Sequence, residues 1–520
     1  MESIDRDEKV PLKTWLAVFG SAIGAFMAVL DIQITASSLR DIQGGLGASV
    51  DEGTWISTSY LIAEIITIPM TGWLARVFSP RIYIVASAVL FVIFSMLCGV
   101  AHDLPSMIVF RAAQGFTGGV LIPMCFTIIL TTLPKAKQPI GMAMFSITAT
   151  FAPSIGPAVG GYITDMLSWQ YIFFLNLIPG IVLVALLLYS LPASEMDLGL
   201  LKRNDLPGIG MMAIGLSSLI YVLEEGQRKD WFGSTLIVNA SILAAVFLSL
   251  FVVRELRAKY PLVNLRLLAR RNFGFGSIVN IGLGAAMYGS VYLVPVYLAT
   301  TQGYSAAQIG QVMMWSGLPQ LFITPFVPWL MRRVDPRWMI AMGLFLFAMS
   351  CFLNTSMSHD YAGPQMTLAM VVRALGQPLI MTPLSAMTTA GVEAAQAGNA
   401  SALFNMMRNI GGSIGTAIAS TLLIQREQFH SERINESVTM SDAAVRDWLA
   451  QGATAMHHAG ASLWVAKEQA KQVLAHQIQT QAYEMAFNDT FLAVAVMLLA
   501  AMMLVALLRR PAGPLNMAAE

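Results

Sequence analysis

The chain has 520 residues, 56% of them hydrophobic and 12% charged, with a formal net charge of +1. A soluble globular protein carries roughly 25% charged residues, so a water-facing surface of this size cannot be covered and the composition places the chain in a membrane. The net charge says nothing about nucleic acid. The three cysteines, Cys98, Cys125 and Cys351, all fall in apolar runs and read as small buried hydrophobes, not as a disulfide framework or a metal site.

A membrane-crossing helix needs about 20 largely apolar residues. The polar start, MESIDRDEKVPLKTW, lacks a short cleavable apolar region, so the first apolar run reads as a retained helix. In chain order, spans are expected near 15–36, 53–74, 82–100, 105–130, 140–163 and 171–193. Two more follow near 206–224 and 234–254. A last group is expected near 274–300, 306–331, 338–355, 364–389, 399–423 and 487–508. The expectation is an all-α integral membrane protein with fourteen transmembrane helices.

Lys and Arg fix the direction of insertion, because they accumulate in cytoplasmic loops. With the N-terminus inside, the cytoplasmic segments hold twenty of them, among them Arg6, Lys9, Arg76, Arg81, Lys135, Lys137, Arg203, Lys259, Arg270, Arg332 and Arg510. The short outer loops hold only Arg40, Arg228 and Lys229. Both termini are therefore expected in the cytoplasm. The stretch 425–486 is long, mostly polar and lies outside by this count. Within it Leu463, Ala466, Ala470, Val473, Leu474 and Ile478 recur at helical spacing, which predicts an amphipathic helix too mixed to span. Its charges form no nucleic-acid stripe.

The chain repeats itself. PMTGWLAR at 69–76, followed by Pro80 and Arg81, returns as PFVPWLMR at 325–332, followed by Pro336 and Arg337. Phe145 with Ser154, Ile155 and Gly156 returns as Phe404 with Ser413, Ile414 and Gly415, and Arg111–Ala112 returns as Arg373–Ala374. These matches pair spans two, four and five with spans ten, twelve and thirteen. Each partner lies eight spans away, so the copies share one orientation, the pattern of parallel transporter repeats. The expected organisation is a six-helix half at 1–200, two inserted helices and a linker at 201–270, and a second six-helix half at 271–520 that includes the loop 425–486.

Five ionisable residues lie inside expected spans: Asp31, Glu64, Arg111, Arg373 and Arg408. Charges at that depth are costly, so function or pairing is the default reading. By helical rise, Asp31 and Arg111 can share a depth in the outer half and Glu64 falls near the midplane. A desolvated carboxylate holds a proton more tightly, and a nearby arginine loosens that hold. Asp31, Glu64 and Arg111 are therefore the proton-coupling candidates. Gln114, Gly156, Pro157, Gly160, Gly161, Arg373 and Arg408 are candidates for substrate contact or conformational change. Small residues let helices approach closely, and proline removes a backbone hydrogen bond and bends the helix. Arg373 and Arg408 also read as ties between helices, and Gln320 and Asn405 as packing donors.

Other patterns are incidental. GGSIG at 411–415 fits a hydrolase elbow and GIGMMA at 208–213 a dinucleotide fingerprint, but neither has the strand each motif requires. No phosphate-binding loop is present, so direct ATP hydrolysis is not expected. His457, His458 and His476 read as solvated loop residues. No cofactor is expected beyond the proton as coupling ion, and no metal.

On Asp31 with Leu30, on Gly72, Trp73, Leu74 and Arg81, on RAAQG at 111–115 and on GPAVGG at 156–161, the chain resembles the major facilitator superfamily. The likeness is to its fourteen-span drug:proton antiporter branch and covers nearly the whole chain. It departs at Arg76, where that branch usually has an acid, at Ser79, usually glycine, and at Arg40, usually proline. The resemblance implies a non-enzymatic, proton-driven secondary transporter of the bacterial inner membrane. It also implies export of hydrophobic or amphipathic small molecules, and its long outer loop resembles members working with a periplasmic adaptor and an outer-membrane channel. The sequence leaves a membrane-embedded enzyme or an assembly scaffold open as alternatives. An enzyme would gather His, Asp or Glu at one membrane face, whereas the embedded charges here are few and dispersed.

Overall fold

The computed structural model describes residues 10–510 apart from 203–204, 259–260, 359, 394–395 and 440. Arg6, Lys9, Arg203 and Lys259, counted above for orientation, lie outside the described residues. Every regular element among the described residues is helical.

The first six long segments are α1 (Leu12–Ser37), α2 (Trp55–Phe78), α3 (Pro80–Gly99), α4 (Leu104–Thr132), α5 (Gln138–Met166) and α6 (Gln170–Ser190). They are followed by α7 (Leu206–Glu225) and α8 (Thr235–Arg257). Then come α9 (Arg271–Thr300), α10 (starting at Ala306–Met314), α11 (Pro336–Leu353), α12 (Gly363–Thr389), α13 (Ala397–Ser437) and α14 (Leu463–Val505). Local chemistry sets several of the starts. Asp103 accepts from Ser106 N at 2.8 Å and Asp205 from Gly208 N at 2.9 Å, each with proline in the first turn. Ser305 and Gln308 close a reciprocal capping box at the start of α10. Between α2 and α3 the turn passes through Ser79 at φ 67° and ψ 142°, backbone that glycine adopts freely and serine does not. That is the position where the resembling branch usually carries glycine.

Twelve of these helices are long and apolar enough to cross a membrane. The expectation of fourteen exceeds that count by two segments. One is 306–331, expected as a single span. It breaks into Ala306–Met314, Leu318–Ile323, a 3-10 turn at Thr324–Phe326 and Val327–Met331. Pro319, Pro325 and Pro328 each lack the N–H a continuous helix would use. The Gln320 amide compensates in part, donating to Ser316 O at 2.5 Å and to Gln377 Oε1 on α12 at 2.7 Å. The other is α13, which is long enough but carries Asn399, Asn405, Arg408 and Asn409 among its apolar residues.

The stretch 425–486 also differs from expectation. The amphipathic segment at 463–478 is the first part of α14 and not a separate helix, and α13 runs on to Ser437. At about 1.5 Å per residue each helix is roughly 60 Å long, about twice the apolar thickness of a bilayer. Between them Ala443–His458 packs along α14. Asp489 of α14 ties the pair together, accepting from Arg426 Nε at 2.6 Å and lying 2.7 Å from His430 Nε2.

α1 packs on α4, α5 and α6, and α9 on α12, α13 and α14. The two sets meet where α2 and α4 touch α13, and where α5 touches α10 and α12. α7 and α8 form a pair whose α7 lies against both α2 and α13. The C-terminal end of α7 is fastened by Glu225, which accepts from Thr54 at 3.0 Å and from Arg228 at 2.5 Å. Only 22% of the apolar window of α8 is buried against 72% for α4, so α8 is an edge helix and α4 a central one.

Candidate functional site

A buried polar cluster centres on Asp31, 3% exposed, and Arg111, 1% exposed. Arg111 Nη1 lies 2.5 Å from Asp31 Oδ2 and donates to Gln114 Oε1 at 2.7 Å, while its Nε donates to Ile56 O on α2 at 3.2 Å. Asp31 Oδ1 accepts from Gln114 Nε2 at 3.0 Å and from Asn176 Nδ2 at 2.8 Å. Asn176 in turn donates to Ser95 Oγ on α3 at 3.0 Å. The rings of Tyr60 and Phe173 lie 4.3 and 5.8 Å from the guanidinium carbon. Five helices thus converge on one carboxylate.

Such a pair is held by geometry. Two buried charges lose their hydration, and the loss is recovered only when every donor and acceptor is matched. Here both Asp31 oxygens are matched, and the RAAQG spacing explains why. Arg111 and Gln114 stand three residues apart on one helix face, so one strip of α4 supplies the charge and the amide. Asn176 is a member that the sequence reading missed.

Glu64, 2% exposed, lies one turn along α2 from Tyr60. Its Oε1 has no hydrogen-bond partner, and it is faced by Arg408 and Asn409 of α13 as well as Arg111. Gly119 of α4 abuts the Glu64 backbone so closely that a Cβ there would clash. Arg408, 2% exposed, makes no ion pair, and its Nε and Nη1 have no partner. Arg373, also 2% exposed, has one long contact to Met287 O at 3.5 Å and an unpartnered Nε. Arg373 reaches α9 through that contact and lies 5.2 Å from the Phe347 ring of α11, and Arg408 lies 5.7 Å from the Phe145 ring of α5. Gln320 bridges to α12, whereas Asn405 bonds only within its own helix, to Ser401 O at 2.9 Å.

The α5 glycines divide. Gly156 and Gly160 seat α5 on Gln33 and Ile34 of α1, inside the first set of helices. Gly161 meets Ala306 of α10, across the seam. Pro157 is buried within an unbroken α5. In the last set, Gly411 and Gly415 seat α13 on Ile281 and Ala285 of α9, the same pairing of a fifth helix on a first. At the other end of the seam Gly72 of α2 and Gly398 of α13 touch backbone to backbone, and Ser401 Oγ donates to Pro123 O at 2.7 Å.

The Major Facilitator Superfamily profile matches residues 21–416. The chain belongs to the major facilitator superfamily. Among its relatives is the colistin resistance protein EmrB of Acinetobacter baumannii, 34% identical over 95% of this chain and 96% of the relative. The fatty acid resistance protein FarB of Neisseria gonorrhoeae is 31% identical, covering 94% and 95%, and the multidrug export protein EmrB of Escherichia coli is 32% identical over 90% of each. The human organic anion transporter MFSD10 shares the fold at a TM-score of 0.61 and 12% identity, covering 94% of this chain and all of that one. Membership of the major facilitator superfamily makes this chain a multi-span membrane transporter and not an enzyme.

Proposed function

We propose that this protein exports amphipathic or aromatic compounds across a bacterial inner membrane in exchange for protons. It does so as a fourteen-span permease with both termini in the cytoplasm. The broken α10 and the polar α13 supply the two spans beyond the twelve apolar ones. The parallel-repeat reading is supported by the recurrence of glycine-mediated packing, α5 on α1 and α13 on α9.

The observation that carries the proposal is the Asp31–Arg111 network. It sits in a transporter at membrane depth, and among the described residues its repeat position Arg373 has no carboxylate within ion-pair distance. Asp31 is therefore not needed to complete the repeat, and a role in coupling accounts for it. Withdrawing a guanidinium from a carboxylate by one or two ångströms changes their attraction by about 1 kcal/mol at an effective dielectric near 20. That changes how tightly the carboxylate holds a proton. Rocking of the two helix sets about the α2–α13 and α5–α10 contacts would deliver such a displacement. Glu64, facing the second set, is the other proton carrier, and Gln114 relays between Asp31 and Arg111.

The relatives' names include colistin resistance, fatty acid resistance and multidrug export, which favours a permissive substrate site. The helical extension of α13 and α14 beyond the bilayer is the surface for a periplasmic adaptor leading to an outer-membrane channel. The test is dye efflux from energised vesicles. Efflux that collapses with the pH gradient supports the proposal, and efflux indifferent to the gradient removes it.

A further inference from the structure

Where α2 packs on α13, Glu64 of α2 and Arg408 of α13 face each other across the seam between the two helix sets, and among the described residues they form no ion pair. Both are 2% exposed. Glu64 Oε1 lacks a partner, and so do Arg408 Nε and Nη1. Arg111 also acts on Glu64, but its Nε is engaged by Ile56 O and its Nη1 by Asp31 and Gln114. Asn409 hydrogen-bonds to the Glu64 carboxyl, leaving Oε1 unfilled, and the remaining groups facing Glu64 are Asp31, Tyr60 and Tyr288. Buried charges left with unfilled hydrogen-bonding atoms are costly, and structures keep them where a ligand, an ion or water completes them.

The unfilled valences are of opposite sign and sit on facing helices. A ligand bearing only an amine meets repulsion from Arg408, and one bearing only an acid meets repulsion from Glu64. A ligand with both satisfies both. Beside the guanidinium lies an aromatic wall: Arg408 is 5.7 Å from the Phe145 ring, Phe145 is 5.2 Å edge-on from Phe126, and Phe126 is 5.5 Å from Phe404. That wall suits the apolar body of an amphipath.

We infer that Glu64 and Arg408 form a two-ended site for a dipolar amphipathic ligand, its ammonium at Glu64, its carboxylate at Arg408 and its apolar part on the aromatic wall. The site reaches solvent only when the helix sets part at one end. Protonation of Glu64 removes the ammonium's partner and leaves the site with a net positive charge, so proton and ligand exclude each other. This last step rests on the proton-exchange reading above; the ligand class does not.

The test is calorimetric titration of the purified full-length protein in nanodiscs with 2-aminooctanoate, octylammonium and octanoate. A charge-assisted hydrogen bond contributes about 1.5–3 kcal/mol. The dipolar compound should therefore bind at least roughly tenfold more tightly than either singly charged one. Glu64→Gln should reduce its binding to that of octanoate, and Arg408→Gln to that of octylammonium, while Arg408→Lys keeps part of the preference. Equal binding of the three compounds by the wild-type protein overturns the inference, whether or not the variants fold. A variant that keeps the full preference overturns it too. Titration needs no gradient, so gradient-independent efflux would remove the export reading alone. Lost dipolar preference with intact gradient-driven efflux would remove this site alone.

Discussion

Replacing Arg111 by alanine strips Asp31 of its counter-charge while leaving it buried. The Gln114 and Asn176 amides still donate to the carboxylate at 3.0 and 2.8 Å, but no cation remains within ion-pair distance. Breaking a buried pair by removing one partner costs about 3–5 kcal/mol. Ile56 O and Gln114 Oε1 each lose the arginine donor as well, Gln114 Oε1 keeping only the weak Cys98 thiol at 3.5 Å, at up to roughly 1 kcal/mol each. The unfolding equilibrium should therefore shift by at least about a hundredfold. The assay is equilibrium denaturation of the reconstituted protein, run as a double-mutant cycle with Asp31→Asn and Arg111→Gln. The double variant replaces charges with amides that can hydrogen-bond to each other, so it should be more stable than either single variant. Arg111→Lys should keep the charge but lose the fork that reaches Gln114 and Ile56 O together, giving an intermediate value. Single variants that cost under about 1 kcal/mol, or costs that simply add, would refute the reasoning.

Asp31→Asn and Glu64→Gln should each uncouple transport from the pH gradient while part of the substrate binding survives. Efflux in vesicles with wild-type pH dependence for both variants would remove these residues as proton carriers. Transport restored by Asp31→Asn with Arg111→Gln would make the pair purely structural. Gly161→Leu should drive a side chain into Ala306 of α10 and hold the α5–α10 contact apart, cutting efflux at least tenfold with little loss of expression. Unchanged efflux would show that this contact does not close during transport. Deleting 440–480 should leave the protein inserted and abolish resistance in a cell with two membranes. Unchanged resistance there would sink the adaptor surface.

The Asp31–Arg111 contact was legible because charges inside apolar runs are so few that depth alone brings the pair together. Asn176 was not, since a single neutral amide within FFLNLIPG at 173–180 carries no period and no charge. The opposition of Glu64 and Arg408 was hidden for another reason. Which faces meet across the seam follows from how two helix sets pack, and helical periodicity reports only each helix's own faces. Two further signals stand in the sequence. Pro319, Pro325 and Pro328 mark the break in α10, and the run 479–486 holds neither Gly nor Pro, so nothing ends the amphipathic segment before the apolar part of α14 begins. The strained turn at Ser79 was visible as a departure from the family's glycine, though its backbone angle was not.

Coupling requires that substrate binding oppose protonation, at Glu64 by direct competition and at Asp31 through the displacement of Arg111. The direct measurement is proton release when a transported dye is added to the purified protein in weakly buffered solution, followed with a pH indicator. The account predicts release that saturates with dye binding and is lost in the Asp31→Asn, Glu64→Gln double variant. Dye binding without release, or with proton uptake, would contradict it.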